Sequence, residues 1–192
     1  MLNVGLIVGS TRPNRFADIV TPWVVAGASV RRDLSLTVLD LRNFNLPFLN
    51  EPAPPTLTDG VFSEPEAEAW RARVGEFDAF VATVAEYNHG PTAVLKNAFD
   101  SAQNEWRRKP IAFVGYGGVG GARAIEVLRG VVIELQMAPI RHEVNIAMEP
   151  FLGVIQGGRA LDDYAYLAAG RELMFDNLLW WGEALTTARR AA

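Results

Sequence analysis

Hydroxyl groups and arginines follow the first apolar run of the sequence. The run LNVGLIVG ends at residue 9, and the next residues include Ser10, Thr11, Arg12, Asn14 and Arg15, before a helical pattern begins. A helix N-terminus presents unpaired N–H groups and the positive end of the helix dipole, and hydroxyl and guanidinium groups add donors suited to phosphate. The stretch therefore predicts an anion site, and the simpler alternative is a solvated turn. It is neither a Walker A loop nor a GxGxxG dinucleotide loop.

A polar and aromatic cluster follows a second apolar run, FDAFVATVA. It consists of Glu86, Tyr87, Asn88 and His89. The Tyr87 ring suits packing against a planar ligand, and Asn88 with the local amides suits hydrogen bonding to the edge of that ligand. The alternative is a turn that carries a surface aromatic. His89 has no second histidine at zinc-ligand spacing, so we expect no metal site.

A glycine-rich loop follows a third apolar run, KPIAFVG. Residues 115–121 read GYGGVGG, and such glycines let a loop backbone lie close to a ligand. The alternative is a flexible connection. The formal GxGxxG match is discounted, because it follows the fourth predicted strand and the acidic residue that should end the next strand, Glu134, falls on a predicted helix.

Apolar runs alternate with amphipathic segments along the chain, which predicts a parallel sheet with helices on both faces. The predicted strands are 3–10, 35–41, 77–87, 109–117 and a more polar 139–148. The predicted helices are 14–31 with Pro22 inside it, one capped by Ser63 and Glu66 and ending near Gly75, one from Pro91 to about Ala102, 121–136 and 161–189. Such sheets bind ligands at the carboxyl ends of their strands, so the three loops are expected to share one pocket. A phosphate and a flat ring in that pocket point to FMN.

Three segments resemble the NADPH-dependent FMN reductase family. They are "GSTRPNR" (9–15), "EYNHGPTAVLKNAFD" (86–100) and "KPIAFVGYGGVGGARAIEVLR" (109–129). The resemblance implies an α/β, flavodoxin-like, doubly wound five-stranded parallel sheet with strand order 2-1-3-4-5, in a single domain over residues 1–192. It also implies a homodimer or homotetramer. Because aromatic residues are enriched at interfaces, Trp106, Trp180 and Trp181 are candidates for that interface, and packing in the core or on the surface is the equal alternative for each.

The resemblance also carries site residues over by position. It implies that the FMN phosphate is held by Ser10, Arg12, Arg15, Phe16 and Ala17. It implies that the isoalloxazine and ribityl groups are bordered by Glu86, Tyr87, Asn88 and His89, and from the other side by Tyr116, Gly117, Gly118 and Gly120. The family usually has threonine and proline before EYN, whereas this chain has Val84 and Ala85, which predicts a looser loop and weaker flavin retention.

The implied function is an FMN-dependent oxidoreductase that takes hydride from NADPH or NADH. The electrons then pass to a small-molecule acceptor such as free flavin, a quinone, an azo or nitro compound or a metal oxyanion. The chemistry belongs to the flavin, so no catalytic acid or base is expected. The alternatives are a flavodoxin-like one-electron carrier without a nicotinamide site and a scaffold that has lost its cofactor.

Bulk composition limits the other function classes. The chain has 192 residues, of which 49% are hydrophobic, and this is enough for one domain with a sizeable core. A formal net charge of -4 argues against nucleic acid as a partner. Cysteine is absent, and no apolar stretch reaches the length of a membrane span or resembles a signal peptide. We therefore expect a cytoplasmic enzyme without a membrane partner.

Overall fold

Three apolar runs form the central strands of the sheet in a computed structural model that describes residues 1–191. All strand pairs are parallel, and the order β2-β1-β3-β4-β5 confirms the predicted 2-1-3-4-5 arrangement. The strands are β1 Leu2–Val8, β2 Leu34–Asp40, β3 Ala79–Ala85, β4 Pro110–Tyr116, β5 Ala138–Pro139 and β6 Val144–Ile146. β3 and β4 are buried at every position, as expected for strands covered on both faces.

The predicted fifth strand is two short strands. β5 pairs with Pro110 and Ile111 at the start of β4, and β6 pairs with the last three residues of the same strand. The polar residues 141–143 separate the two, and Pro139 has no N–H to extend the ladder. The prediction of one strand over 139–148 was therefore wrong in its continuity, although its position beside β4 was right.

Six α-helices surround the sheet, one more than predicted. They are α1 Ala17–Ser29, α2 Pro65–Gly75, α3 Ala93–Asp100, α4 Ala122–Glu134, α5 Met148–Gly157 and α6 Ala165–Arg190. α1 begins later than residue 14 and continues through Pro22. α5 was not predicted, and α6 begins at Ala165 instead of residue 161, because a short 3₁₀ turn occupies Leu161–Asp163.

Two predicted helix starts were wrong. Ser63 does not cap α2, because its N–H and hydroxyl both donate to Glu51, and the helix begins only at Pro65. Pro91 lies outside α3. The N-cap of α3 is Thr92, whose hydroxyl oxygen accepts a hydrogen bond from the Leu95 N–H at 3.2 Å.

Two hydrophobic clusters pack on the two faces of the sheet. One contains buried residues of α1 and α6, and the other contains buried residues of α2, α3 and α4. In the second cluster, the indole N–H of Trp70 donates to the Ala98 carbonyl at 2.7 Å and that of Trp106 to the Phe99 carbonyl at 3.1 Å. Trp106 is fully buried, so it belongs to this core and not to an interface.

The strand register brings the predicted ligand loops to one edge of the sheet. Val8 at the end of β1 pairs with both Asp40 of β2 and Thr83 of β3. Ala85 at the end of β3 pairs with Tyr116 at the end of β4. The loops that follow β1, β3 and β4 therefore begin beside one another.

A test of this edge is the substitution Gly115→Ala in β4. A Cβ at Gly115 would lie 2.3 Å from the Gly120 carbonyl oxygen and 2.8 Å from Ile125 Cδ1, so the glycine loop must shift. We expect a loss of about 1–3 kcal/mol in the free energy of unfolding, measured by urea denaturation.

Gly130→Ala in α4 is the matched control. No atom lies within 4 Å of a Cβ at this helical position. The substitution should raise the free energy of unfolding by about 0.5–1 kcal/mol, because alanine loses less backbone entropy than glycine. Equal stability of the two variants would contradict the close packing at Gly115.

Candidate functional site

A cleft of about 220 Å³ opens where the loops after β1, β3 and β4 meet. It is lined by Ser10, Arg12, Arg15, Phe16, Ala85, Glu86, Tyr87, Tyr116, Gly117 and Phe151. The three predicted loops therefore share one cavity. A fourth wall comes from α5 through Phe151, which the sequence analysis did not anticipate.

Gly9 anchors the first loop to the rest of the fold. Its N–H donates to the Thr83 hydroxyl at 3.1 Å, and its carbonyl accepts from the Thr92 hydroxyl. A Cβ at Gly9 would lie 2.3 Å from the Thr83 carbonyl oxygen and 2.8 Å from Leu95 Cδ2, so only glycine allows this approach. The loop that follows is thereby fixed against both β3 and α3.

The first loop carries a run of unpaired backbone donors. Within residues 1–191, the N–H groups of residues 10–12 and 14–17 donate to no other group of the chain. They precede or form the first turn of α1, where the helix dipole is positive. Such a run of free amides at a helix start is the usual construction of a phosphate site.

Arg15 differs from Arg12 in its surroundings. The Arg15 guanidinium is buried, and each of its nitrogens donates inside the protein: Nε to Asp18 at 2.8 Å, Nη1 to the Ser10 carbonyl and Asp40, and Nη2 to Asp40. Arg12 is exposed and makes no ion pair within residues 1–191. The two arginines therefore differ in charge balance: Arg15 is neutralised by Asp18 and Asp40, whereas the charge of Arg12 is uncompensated within residues 1–191.

The loop after β3 is a tight turn. Tyr87 and Gly90 exchange two backbone hydrogen bonds of 2.9 and 3.0 Å, and the residues between them, Asn88 and His89, have φ angles of 50° and 72°. Two positive φ values define a type I′ turn. Tyr87 projects to Ser10, with its hydroxyl 3.1 Å from the Ser10 Oγ. Asn88 and His89 are exposed at the tip and do not line the cleft.

Glu86 links this turn to α4. Its carboxylate is buried, accepts from the Arg123 N–H at 3.2 Å and pairs with the Arg123 guanidinium. Arg123 Nη1 also lies 2.8 Å from His89 Nε2. The predicted site residues Glu86 and His89 are thus engaged with α4, and this contact holds the β3 turn beside the glycine loop.

The glycine loop is tightly folded and is not a flexible connection. Gly117, Gly120 and Gly121 have φ angles of 139°, 69° and 73°, which favour glycine. A Cβ at Gly120 would lie 2.7 Å from Asn145 Cβ. Gly117 lines the cleft, whereas Gly118 lies near Met148 of α5 and Gly120 against Asn145 of β6.

Three aromatic rings form one side of the cleft. The Phe16 ring centroid is 5.5 Å from that of Tyr116 and 4.5 Å from that of Phe151. Tyr116 is only 5% exposed, and its hydroxyl has no hydrogen-bond partner. Burial, together with the neighbouring Tyr87, raises the pKa of Tyr116 well above its usual range, so the hydroxyl stays protonated.

Sequence reasoning missed several residues that build the site. Ala17 was expected at the phosphate, and only its unpaired N–H is available there, because its side chain is fully buried in the core. Thr83 and Thr92 were not considered, although a single threonine in a buried apolar strand and a threonine before a helix were visible signals. Phe151 lies in MEPFLGVI, where a proline near the start of an apolar, helically spaced run signals a helix.

A metal cluster and a membrane-spanning helix are both absent from the described residues. Within residues 1–191, no cluster of three or more histidine, cysteine, aspartate or glutamate side chains is arranged to hold a metal ion. No helix in the same range has both the length and the apolar character that crossing a membrane requires.

Comparison with known sequences identifies the family. The profile of the NADPH-dependent FMN reductases matches residues 2–150. The chain belongs to this family. It is 33% identical over 148 residues to the NAD(P)H-dependent FMN reductase of a Nectria species, which covers 73% of this chain and 74% of that relative. It is 30% identical over 146 residues to the NAD(P)H-dependent FMN reductase of Saccharomyces cerevisiae, covering 71% and 76%.

A solved structure supports the fold of this family member. The flavoenzyme NAD(P)H:(acceptor) oxidoreductase from Paracoccus denitrificans superposes with a TM-score of 0.74 at 22% identity, covering 96% of this chain and 98% of that one. The profile match ends at residue 150, so the cleft wall at Phe151 and the whole of α6 lie beyond it.

The Arg15–Asp40 pair should govern the stability of the first loop, between β1 and α1. The two side chains are 5% and 23% exposed. Burial raises the pKa of Asp40, but the hydrogen bonds from Arg15 and the Arg42 amide outweigh it, so the pKa of Asp40 is lowered. A lowered carboxylate pKa contributes stability that is complete above the unfolded-state pKa and is lost as the pH falls through the folded-state pKa.

Arg15→Ala should therefore cost about 3 kcal/mol at pH 7 in urea denaturation, because it leaves a partly buried carboxylate unpaired. Its penalty should shrink at pH values below about 4, where Asp40 becomes protonated in the unfolded chain. Arg73→Ala is the control. It breaks an exposed ion pair between Arg73 in the last turn of α2 and Glu76, the residue that follows the helix, and should cost less than about 1 kcal/mol. A penalty for Arg15→Ala no larger than that of the control would disprove the structural role.

Proposed function

We propose that the protein binds FMN in the cleft between β1, β3 and β4 and uses it to oxidise NADPH or NADH. The observation that carries the proposal is the run of unpaired amides at residues 10–12 and 14–17, with the uncompensated charge of Arg12 beside it. Together with membership in the NADPH-dependent FMN reductase family, this favours a phosphorylated flavin over other anions.

The phosphate end of the site rests on the first loop. In this proposal the free amides and the Arg12 guanidinium donate to the phosphate. Arg15 lines the cleft but keeps at most one free N–H for the phosphate, because four of its five N–H groups donate to Asp18, Asp40 and the Ser10 carbonyl. Its main role is to hold the loop in shape, which differs from the direct contact expected from the sequence.

The flavin ring lies in this proposal between the β3 turn and the glycine loop. Tyr87 and Gly117 line the cleft there, and Phe151 closes the side formed by α5. When bound, FMN supplies the hydride-accepting and electron-donating chemistry, so the protein needs no general acid or base. The side chains supply position and a partly apolar wall that excludes water.

A quinone is the acceptor that the comparisons favour. A probable NADPH:quinone oxidoreductase of Oryza sativa subsp. japonica is 41% identical to this chain over 96 residues, about half of each chain. The cytoplasmic location and the homodimeric or homotetrameric assembly stay predictions.

Visible spectroscopy tests the proposal directly. The purified protein should take up FMN with a bound-flavin spectrum, lose that absorbance when NADPH is added without oxygen, and recover it when a quinone is added. Uptake of FMN without bleaching by NADPH or NADH would instead favour a one-electron carrier. No uptake of FMN would disprove the cofactor site.

Arg12→Ala tests the phosphate assignment. The variant should bind FMN roughly tenfold or more weakly, since hydrogen bonds to charged groups contribute about 1.5–3 kcal/mol, while riboflavin affinity stays unchanged. Arg32→Ala, at an exposed arginine between α1 and β2, is the control and should alter neither affinity. Calorimetric titration measures the dissociation constants of FMN and riboflavin for wild type and for both variants. Equal weakening of FMN and riboflavin binding by Arg12→Ala would rule out a phosphate contact.

A further inference from the structure

The hydroxyl of Tyr116 is a buried polar group without a partner. Tyr116 is 5% exposed, and its oxygen makes no hydrogen bond in the part of the chain that the structure describes. An unpaired buried hydroxyl costs folding free energy, and folded proteins rarely keep one without a reason. Phenylalanine would fill the same space without that cost, so the hydroxyl calls for a function.

The position of the Tyr116 hydroxyl in the cleft indicates which part of a ligand it would contact. Tyr116 lines the cleft together with Ser10, Arg12 and Phe16 of the first loop. Its ring packs against Phe16, the residue directly before α1. Tyr116 therefore lies on the α1 side of the cleft, toward the unpaired amides, although the sequence analysis placed it along the flavin ring.

The charge state of Tyr116 also limits its role. Burial and Tyr87 raise the pKa of Tyr116, although Arg15 and Arg12 act in the opposite direction. A phenol that stays protonated has one O–H to donate. Within residues 1–191 no acceptor lies within hydrogen-bond distance of this hydroxyl, and the nearby Arg12 guanidinium and loop amides are donors as well. A ligand anion would satisfy these donors together.

We propose that the Tyr116 hydroxyl donates a hydrogen bond to the phosphate of bound FMN and so helps the protein select FMN over riboflavin. This inference rests on the proposed function, because it needs FMN in the cleft. The same hydroxyl then remains unpaired in the flavin-free protein, which makes it a group that lowers stability in exchange for ligand selectivity.

Tyr116→Phe removes the hydroxyl and keeps the ring. The variant should bind FMN roughly tenfold or more weakly, because a hydrogen bond to a charged group is lost, and should bind riboflavin as the wild type does. In the flavin-free protein, the melting temperature should rise by about 2–4 °C, because an unpaired buried group is gone. The ³¹P signal of bound FMN should also shift between wild type and variant.

Tyr166→Phe is the matched control. Tyr166 is 56% exposed on α6, so its substitution should change neither ligand affinity nor melting temperature. Both variants are compared with wild type by calorimetric titration with FMN and riboflavin and by thermal melting without ligand.

The outcomes separate this inference from the proposed function. If wild-type protein does not bind FMN, the proposed function itself fails. If wild type binds FMN but Tyr116→Phe leaves FMN affinity unchanged, or weakens FMN and riboflavin equally, the phosphate contact is overturned while the cofactor site stands. A lower melting temperature of the flavin-free variant would show that the hydroxyl supports the fold, which also contradicts the proposal.

Discussion

The buried guanidinium of Arg15 is the constraint on which the proposed anion site depends. It joins the Ser10 carbonyl to Asp40 at the end of β2 and to Asp18 in the first turn of α1. The loop between β1 and α1 is thereby closed around one side chain. The Ser10 carbonyl accepts from Arg15, whereas the N–H groups of residues 10–12 and 14–17 have no acceptor in the chain. These N–H groups therefore remain available to a ligand.

The rest of the site is positioned by contacts to neighbouring rigid elements. The Gly9 N–H donates to Thr83 of β3, and the Gly9 carbonyl accepts from Thr92 at the start of α3. Glu86 joins the β3 turn to α4 through Arg123. Each wall of the cleft is therefore tied to a strand or a helix end, which keeps the donors in place before a ligand arrives and lowers the entropic cost of binding.

The sequence predicts the strands and loops that correspond to continuous runs of one residue type. The three central strands are apolar runs, and three loops break those runs with polar or glycine residues, so the shared edge of the sheet could be predicted from these patterns. The sheet order came from the resemblance to the family. The helix around Phe151 has a local signal, but its packing against Phe16 does not, because that contact joins residues distant in sequence. The split after Pro139 depends on which residues pair with β4, and residues 141–143 do not. The partner of Arg15 lies 25 positions away, so local sequence cannot distinguish its role from that of Arg12.

The charge balance around the first loop explains why neutral donors matter there. Arg12, Arg15 and Arg42 stand against Asp18 and Asp40, and the ion pairs compensate most of this positive charge. A phosphate at this loop meets little excess charge beyond that of Arg12. Its binding must then rely on directed hydrogen bonds from amides and hydroxyls, which are effective in a site of low dielectric. The same balance gives one additional hydroxyl, such as that of Tyr116, a larger share in the binding than it would have beside several free arginines.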